Sequence, residues 1–217
     1  MSQTLDGTVR RFSGLLGGNC ESHEPWDVLL EQAPGFVVAP TKGAILPYWL
    51  LVIPRMPHLN FATSFQEEDK NPVEIVREVA GKFTPSKQWI WFEHGAAILG
   101  NDVGCGVDHA HIHLLLSPPF SLEEFRSEVV RASSSEWTHS GSGQVYEQVS
   151  GRENYYMFGG LEDAYFTSGH SLGSQFFRKT VASLVGKPQE WDYKRFDGKH
   201  NVLKTLDYLA PMNMKAA

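Results

Sequence analysis

The sequence predicts an α+β fold, and three observations carry that prediction. Three segments rich in aromatic and β-branched residues, 35–41, 48–55 and 88–93, have the composition of strands, and 107–116 is the fourth strand. Between the second and third, Val73, Val76, Val79 and Ala80 recur at helical spacing, with Pro72 at the start and Gly81 near the stop, so 72–83 is a helix. Ser121 and Glu124 have capping-box spacing and open a second helix that runs to about Arg131.

The remaining elements follow in chain order. Residues 1–24 show little periodicity and form an N-terminal arm. Pro25, with Trp26, Val28, Leu29 and Leu30 behind it, starts one short helix, because proline suits the first helical position. The glycine-punctuated stretch 95–106 is a loop, and Pro118-Pro119 ends the fourth strand. Ser133 to Ser135 and Ser140 to Gly143 mark a loosely ordered connection. Two short aromatic strands, 155–158 and 164–167, precede a helix over about 171–185. The tail 190–209 carries Trp191, Tyr193, Phe196 and Tyr208, which need a surface to cover. The division expected is an arm (1–24), a core domain (25–130) and a C-terminal α/β extension (131–217) packed on the core.

Composition narrows the function classes. With 217 residues, 41% of them apolar and 20% charged, the chain has a globular rather than a disordered or fibrous make-up. Nineteen Lys+Arg against twenty-five Asp+Glu leave a formal charge of −6. That balance is poor for coating nucleic acid or an anionic membrane, so neither partner is expected. Two cysteines, Cys20 and Cys105, cannot frame a disulfide scaffold and suit a reducing compartment. The most apolar stretch, 45–53, is interrupted by Pro47 and too short to span a bilayer. The apolar run after Arg10-Arg11 is no signal-peptide core. A soluble, cytoplasmic protein is the expectation.

Three of the nine histidines fall within five residues, His109-Ala-His111-Ile-His113. On a strand these three share one face, each about 7 Å from the next, while Asp108, Ala110, Ile112 and Leu114 take the other. An imidazole row opposite an apolar strip describes a strand with a site on one side and a core on the other. Alternate histidines on a strand also ligate zinc or iron, but such sites usually draw on a further carboxylate or cysteine. No acid closely follows His113; Cys20-x-x-His23 joining His109 is the remaining zinc arrangement.

His109-Ala-His-Ile-His-Leu-Leu115 resembles the alternating signature of the histidine-triad superfamily of nucleotide hydrolases and transferases. Pro47-Tyr-Trp-Leu-Leu-Val-Ile-Pro54 is similar to the strand that precedes it in that family. Phe92-Glu-His-Gly95, the glycine loop and Gly104-Cys-Gly-Val-Asp108 resemble its strand and phosphate loop. The likeness covers 35–117, and Ser174-Gln-Phe-Phe-Arg178 and Trp191-Asp-Tyr193 resemble longer members more faintly. It implies an antiparallel sheet with helices packed on one face, a homodimer, and no required cofactor. The missing acid after His113, and Trp49 where a fourth ligand could have come from, make metal independence the expectation. The resemblance also implies a small-molecule nucleotide substrate, an anhydride, ester or phosphoramidate, attacked at the α-phosphorus. His111 would be the nucleophile and form a covalent nucleotidyl-histidine. His109 and His113 would hold its tautomer and bond phosphate oxygens, with the amides of Gly104, Cys105, Gly106 and Val107 meeting the developing charge.

Three positions depart from the family pattern. Trp49 stands where a buttressing histidine is common, and Gly106 where Ser or Thr is common. Neither Thr41 nor Lys42 supplies the ribose-binding acid. Lys42, Trp49 and Glu93, which with His94 ends the third strand, are therefore candidate substrate-binding residues. Cys105 is either a poised thiol or a small buried loop residue. Ser174, Gln175 and Arg178 share a helical face by spacing, so Gln175 and Arg178 join the candidates, Arg178 through the phosphate. The basic cluster Lys194-Arg195 with Lys199 is expected at the solvated surface. Three other functions stay open: a nucleotide-binding protein with little catalysis, a phosphorylase or transferase with a non-water acceptor, and a metal-dependent enzyme using the three histidines.

Overall fold

The computed structural model describes residues 12, 14–17, 24–68, 71–84, 88–100, 108–169 and 171–213. Eight strands build the sheet: β1 (Glu31–Gln32), β2 (Phe36–Pro40), β3 (Trp49–Pro54), β4 (Trp89–Gly95), β5 (Ile112–Leu116), β6 (Thr138–Gly141), β7 (Tyr155–Gly159) and β8 (Asp163–Ser168). Among the described residues, the helices of eight residues or more are α1 (Phe61–Glu68), α2 (Pro72–Phe83), α3 (Leu122–Ser133), α4 (Phe176–Leu184) and α5 (Lys199–Asn213). Every strand pair is antiparallel, in the order β1-β2-β3-β5-β4-β7-β8-β6, so the fold is α+β as expected.

Local chemistry accounts for the two helices read most directly. Asn71 caps α2 by accepting from the amide of Val73, Pro72 sits where no amide is needed, and Val73, Val76, Val79 and Phe83 are buried. At α3 both halves of the capping box form: Ser121 Oγ accepts from Glu124 N at 3.2 Å, and Glu124 Oε2 accepts from Ser121 N at 2.7 Å. The helix runs two residues past Arg131 and stops at Ser134, whose backbone is left-handed.

Strands β2, β3, β4, β5 and β7 are buried along their whole length, because both faces of the sheet are covered. On one face Leu50, Val52, Ile112, Leu114 and Trp91 pack with α2 and Phe61. On the other, Trp49, Phe92, Leu115 and Phe158 meet Phe125 and Val129 of α3 and Phe177 and Val181 of α4. Farther along that second face, Phe12 and Leu15 cover Val37, Ala39, Leu51 and Ile53. Helices on a single face, the arrangement implied by the resemblance, are thus corrected to helices on both. Burying this much apolar strand surface on both sides is what the aromatic content of β3 and β4 requires.

The described residues after 131 both extend the sheet, through β6, β7 and β8, and pack on it, through α4. β7 pairs with β4 from Trp91↔Gly159 to Gly95↔Tyr155, and β8 and β6 extend the sheet beyond it. The stretch expected to be loosely ordered contains β6 and a 3-10 turn, Ser142–Glu147, anchored by Ser142 Oγ donating to the carbonyls of Gly160 and Asp163. The helix expected at 25–30 is a single 3-10 turn, Pro25–Asp27, since Leu30 N donates to Val38 O and draws the chain into the sheet edge. In the tail, Lys179 lies over Trp191, Arg178 over Tyr193, and Tyr48 over Tyr208, yet Phe196 and Tyr208 each keep 42% of their surface exposed. Lys194, Arg195 and Lys199 are exposed, as expected. Among the described residues no helix is long and apolar enough to cross a membrane.

Candidate functional site

The fourth strand is shorter than expected. β5 begins at Ile112, so His109 and His111 lie in its lead-in, where Ala110 N donates to His58 O at 2.7 Å instead of to a neighbouring strand. The alternation survives: Ala110, Ile112 and Leu114 belong to the core under α2, and His113 faces the other way against Phe92 and Trp49.

Each of the three imidazoles has a different hydrogen-bonding task. His109 Nε2 lies 2.8 Å from Pro54 O and must donate, because a carbonyl only accepts. His111 Nδ1 lies 2.9 Å from His109 O and must donate for the same reason. A neutral His111 ring therefore carries its lone pair on Nε2. His113 Nδ1 accepts from Trp49 Nε1 at 3.0 Å, so neutral His113 carries its proton on Nε2. The rings of His111 and His113 are 5.1 Å apart in a T-shaped arrangement, and Phe12 sets its edge against His109 and His111 at 5.8 and 5.4 Å. Burial depresses His109 below the usual histidine range, more than its bond to Pro54 restores. Burial also holds His113 well below that range, aided by charge at His111, His94 and Arg178.

Trp49 thus orients His113 with its indole N–H. It also carries Arg178, whose guanidinium lies 5.0 Å from its ring. Arg178 is 3% exposed; its Nε donates to Trp191 O at 2.8 Å and a terminal nitrogen donates to Gly43 O. The expected phosphate partner is therefore a guanidinium that ties α4 to the β2–β3 connection and the tail. Gly43 is needed there, since its φ is +72° and a Cβ would strike Tyr193 and Arg178.

The other expected residues fall in different places. Strand alternation turns Glu93 away from the histidines into the core under α1 and α2, where it is 1% exposed. Its Oε1 accepts from Phe61 N at 2.8 Å, and its Oε2 from Tyr146 and Tyr155 hydroxyls at 2.7 and 2.9 Å. It anchors the start of α1, and burial pushes its carboxyl up to about 7. Gly95 exists because the Tyr155 ring lies across it. The helix expected from Ser171 begins at Phe176, after Gln175 in left-handed backbone, so Ser174 and Gln175 precede it and share no helical face with Arg178. Gln175 is buried and its carbonyl accepts from Lys179 N. Lys42 rests over the Trp26 ring at 5.2 Å. Gly104, Cys105, Gly106 and Val107, and the pair Cys20 and His23, lie outside the described residues.

His94 is the site-face residue that the pattern around Glu93 concealed. Continuing the antiparallel register from Phe92↔His113 sets His94 opposite His111. Its ring is 6.4 Å from that of His113, 5.5 Å from Tyr156 and 4.9 Å from Phe177. Burial, then charge at His111 and Arg178, depresses it to about 3. Counting by twos along β4 from Phe92 was the signal that separates His94 from Glu93.

No family model matches the chain, nor does any curated protein. Among the described residues, no three His, Cys, Asp or Glu side chains are grouped to hold a metal ion. A separate pocket of about 400 Å³ opens between Gly43–Ile45 and the start of α5, lined also by Lys187, Arg195 and Lys199. What the histidine cluster offers chemically is a partly exposed imidazole with a defined tautomer, beside two imidazoles kept neutral by burial.

Proposed function

We propose that the protein is a nucleotide hydrolase or nucleotidyl transferase working through a covalent nucleotidyl-His111 intermediate. The observation that carries this reading is the bond from His111 Nδ1 to His109 O, which places the lone pair of the neutral ring on Nε2. The alternating motif over 109–115 supports it, as does the indole that orients His113 from the next strand.

In the first step Nε2 forms a bond to the α-phosphorus while the bond from phosphorus to the leaving oxygen or nitrogen breaks. The leaving group departs with a proton taken from solvent. The ring, retaining its Nδ1 proton, becomes cationic and is held by the His109 carbonyl. In the second step water attacks phosphorus, the P–N bond returns its electrons to Nε2, and a nucleoside monophosphate and a proton are released. A non-water acceptor in the same position makes the reaction a transfer.

The test is mass spectrometry after incubation with nucleoside phosphoramidates and dinucleoside polyphosphates. A nucleotidyl adduct on the peptide containing His111, absent from His111→Ala, is the expected result. An adduct elsewhere, or turnover undiminished in His111→Ala, would overturn the mechanism.

A further inference from the structure

We infer that His94 is a further substrate-contacting residue of this site, donating its ring N–H to a phosphoryl oxygen carried by His111. The inference rests on the covalent mechanism proposed above. Three geometric facts support it. Extending the β4–β5 register two residues past its last pair, Phe92↔His113, brings His94 level with His111, and charge at His111 acts on the His94 ring. The ring lies among His113, Tyr156, Phe92 and Phe177 at centroid distances of 4.9–6.4 Å. Its Nε2 is buried and makes no hydrogen bond among the described residues.

A buried polar nitrogen without a partner is a standing cost, because the residue gave up its bond to water and gained none. Phenylalanine would fill the same flat space among aromatic rings without that cost. Water does not reach Nε2 in the resting state, so the partner must be brought in, and His111 is the residue opposite that brings one. The phosphoryl group joins the site only when it bonds to His111, and its oxygens are the acceptors the imidazole lacks. A bond made in the transition state and intermediate but absent beforehand lowers the barrier rather than merely tightening binding. Neutrality suits the role: a cationic His94 beside Arg178 and the cationic adduct ring would be repelled, whereas a neutral N–H donates without that conflict.

The experiment compares wild type, His94→Phe and His94→Asn in single-turnover formation of the His111 adduct from adenosine 5′-phosphoramidate. AMP affinity and melting temperature are measured alongside. His94→Phe should melt at or above the wild-type temperature, form adduct roughly ten- to a hundredfold more slowly, and lose less in AMP affinity than in that rate. His94→Asn, which retains an N–H donor, should recover part of that rate. Adduct formation at the wild-type rate in His94→Phe overturns the inference and leaves the mechanism standing. Should His94→Phe fail to fold, ring ¹⁵N spectra of the wild-type adduct decide instead, with an unshifted His94 nitrogen overturning it. Absence of any adduct in wild type overturns the mechanism and the inference together.

Discussion

Glu93→Gln separates the cost of burying a carboxylate from the benefit of its three hydrogen bonds. In the folded protein Glu93 is pushed from 4.5 up to about 7, with burial outweighing the donors Phe61 N, Tyr146 and Tyr155. The folded state therefore binds the proton more tightly than the unfolded chain does. Its stabilising contribution is fully present below pH 4.5 and is lost as pH rises through about 7. The displacement is worth about 3 kcal/mol at ~1.4 kcal/mol per pH unit. Glutamine is nearly isosteric with the protonated acid and does not titrate. Relative to wild type the variant should gain little at about pH 5 and about 2–3 kcal/mol more at about pH 8.5. In melting temperature this gain is roughly 4–12 °C for a chain of this size. His94, His109 and His113 titrate with the opposite sign, since their folded values are depressed and stability is lost as pH falls below the unfolded value of 6.5. Those contributions are common to both proteins and cancel in the difference. Urea unfolding followed by tryptophan fluorescence at several pH values gives the measurement. A wild-type-to-variant difference that stays constant from about pH 5 to about pH 8.5 would refute the reasoning.

Other substitutions test the remaining assignments. His111→Ala should abolish turnover while costing about 1 kcal/mol or less of stability, because the ring is only partly buried; rate assays and thermal melts check both halves. Trp49→Phe keeps a ring beneath Arg178 but removes the N–H that His113 accepts. It should cost about 1–3 kcal/mol and move the acid limb of the pH–rate profile. An unchanged profile would show that Trp49 only packs. Arg178→Ala should lower stability by about 3–5 kcal/mol, since two carbonyls lose a charged donor. Arg178→Lys should recover only part, because an ammonium cannot reproduce the planar fork; a full-strength melt in Arg178→Ala would argue against the tie. Adduct formation should persist in excess chelator, and its loss with recovery on adding zinc would favour the metal-dependent alternative.

What the sequence determined by itself is what short-range rules govern. The bounds of α2 and the capping box of α3 follow from side chains that act within one helical turn, and both form as read. The two faces of the 110–114 segment follow from the pleat, which sends Ala110, Ile112 and Leu114 into one core and His113 away from it. Even the tautomer of His111 is a local matter, set by a carbonyl two residues away. Pairings between distant segments were decided only by the tertiary structure. Trp49 meets His113 across 64 residues, and Arg178 reaches Gly43 across 135. Glu93 and His94 look equivalent as polar neighbours at the end of a strand. Packing separates them, because β7, the 3-10 turn at 142–147 and α1 surround one with hydroxyls and an amide while α4 closes aromatic rings around the other. Periodicity states which face a residue takes, but not what lies on that face. A donor's partner depends on which strands become neighbours, and that is settled by burying the whole apolar surface at once.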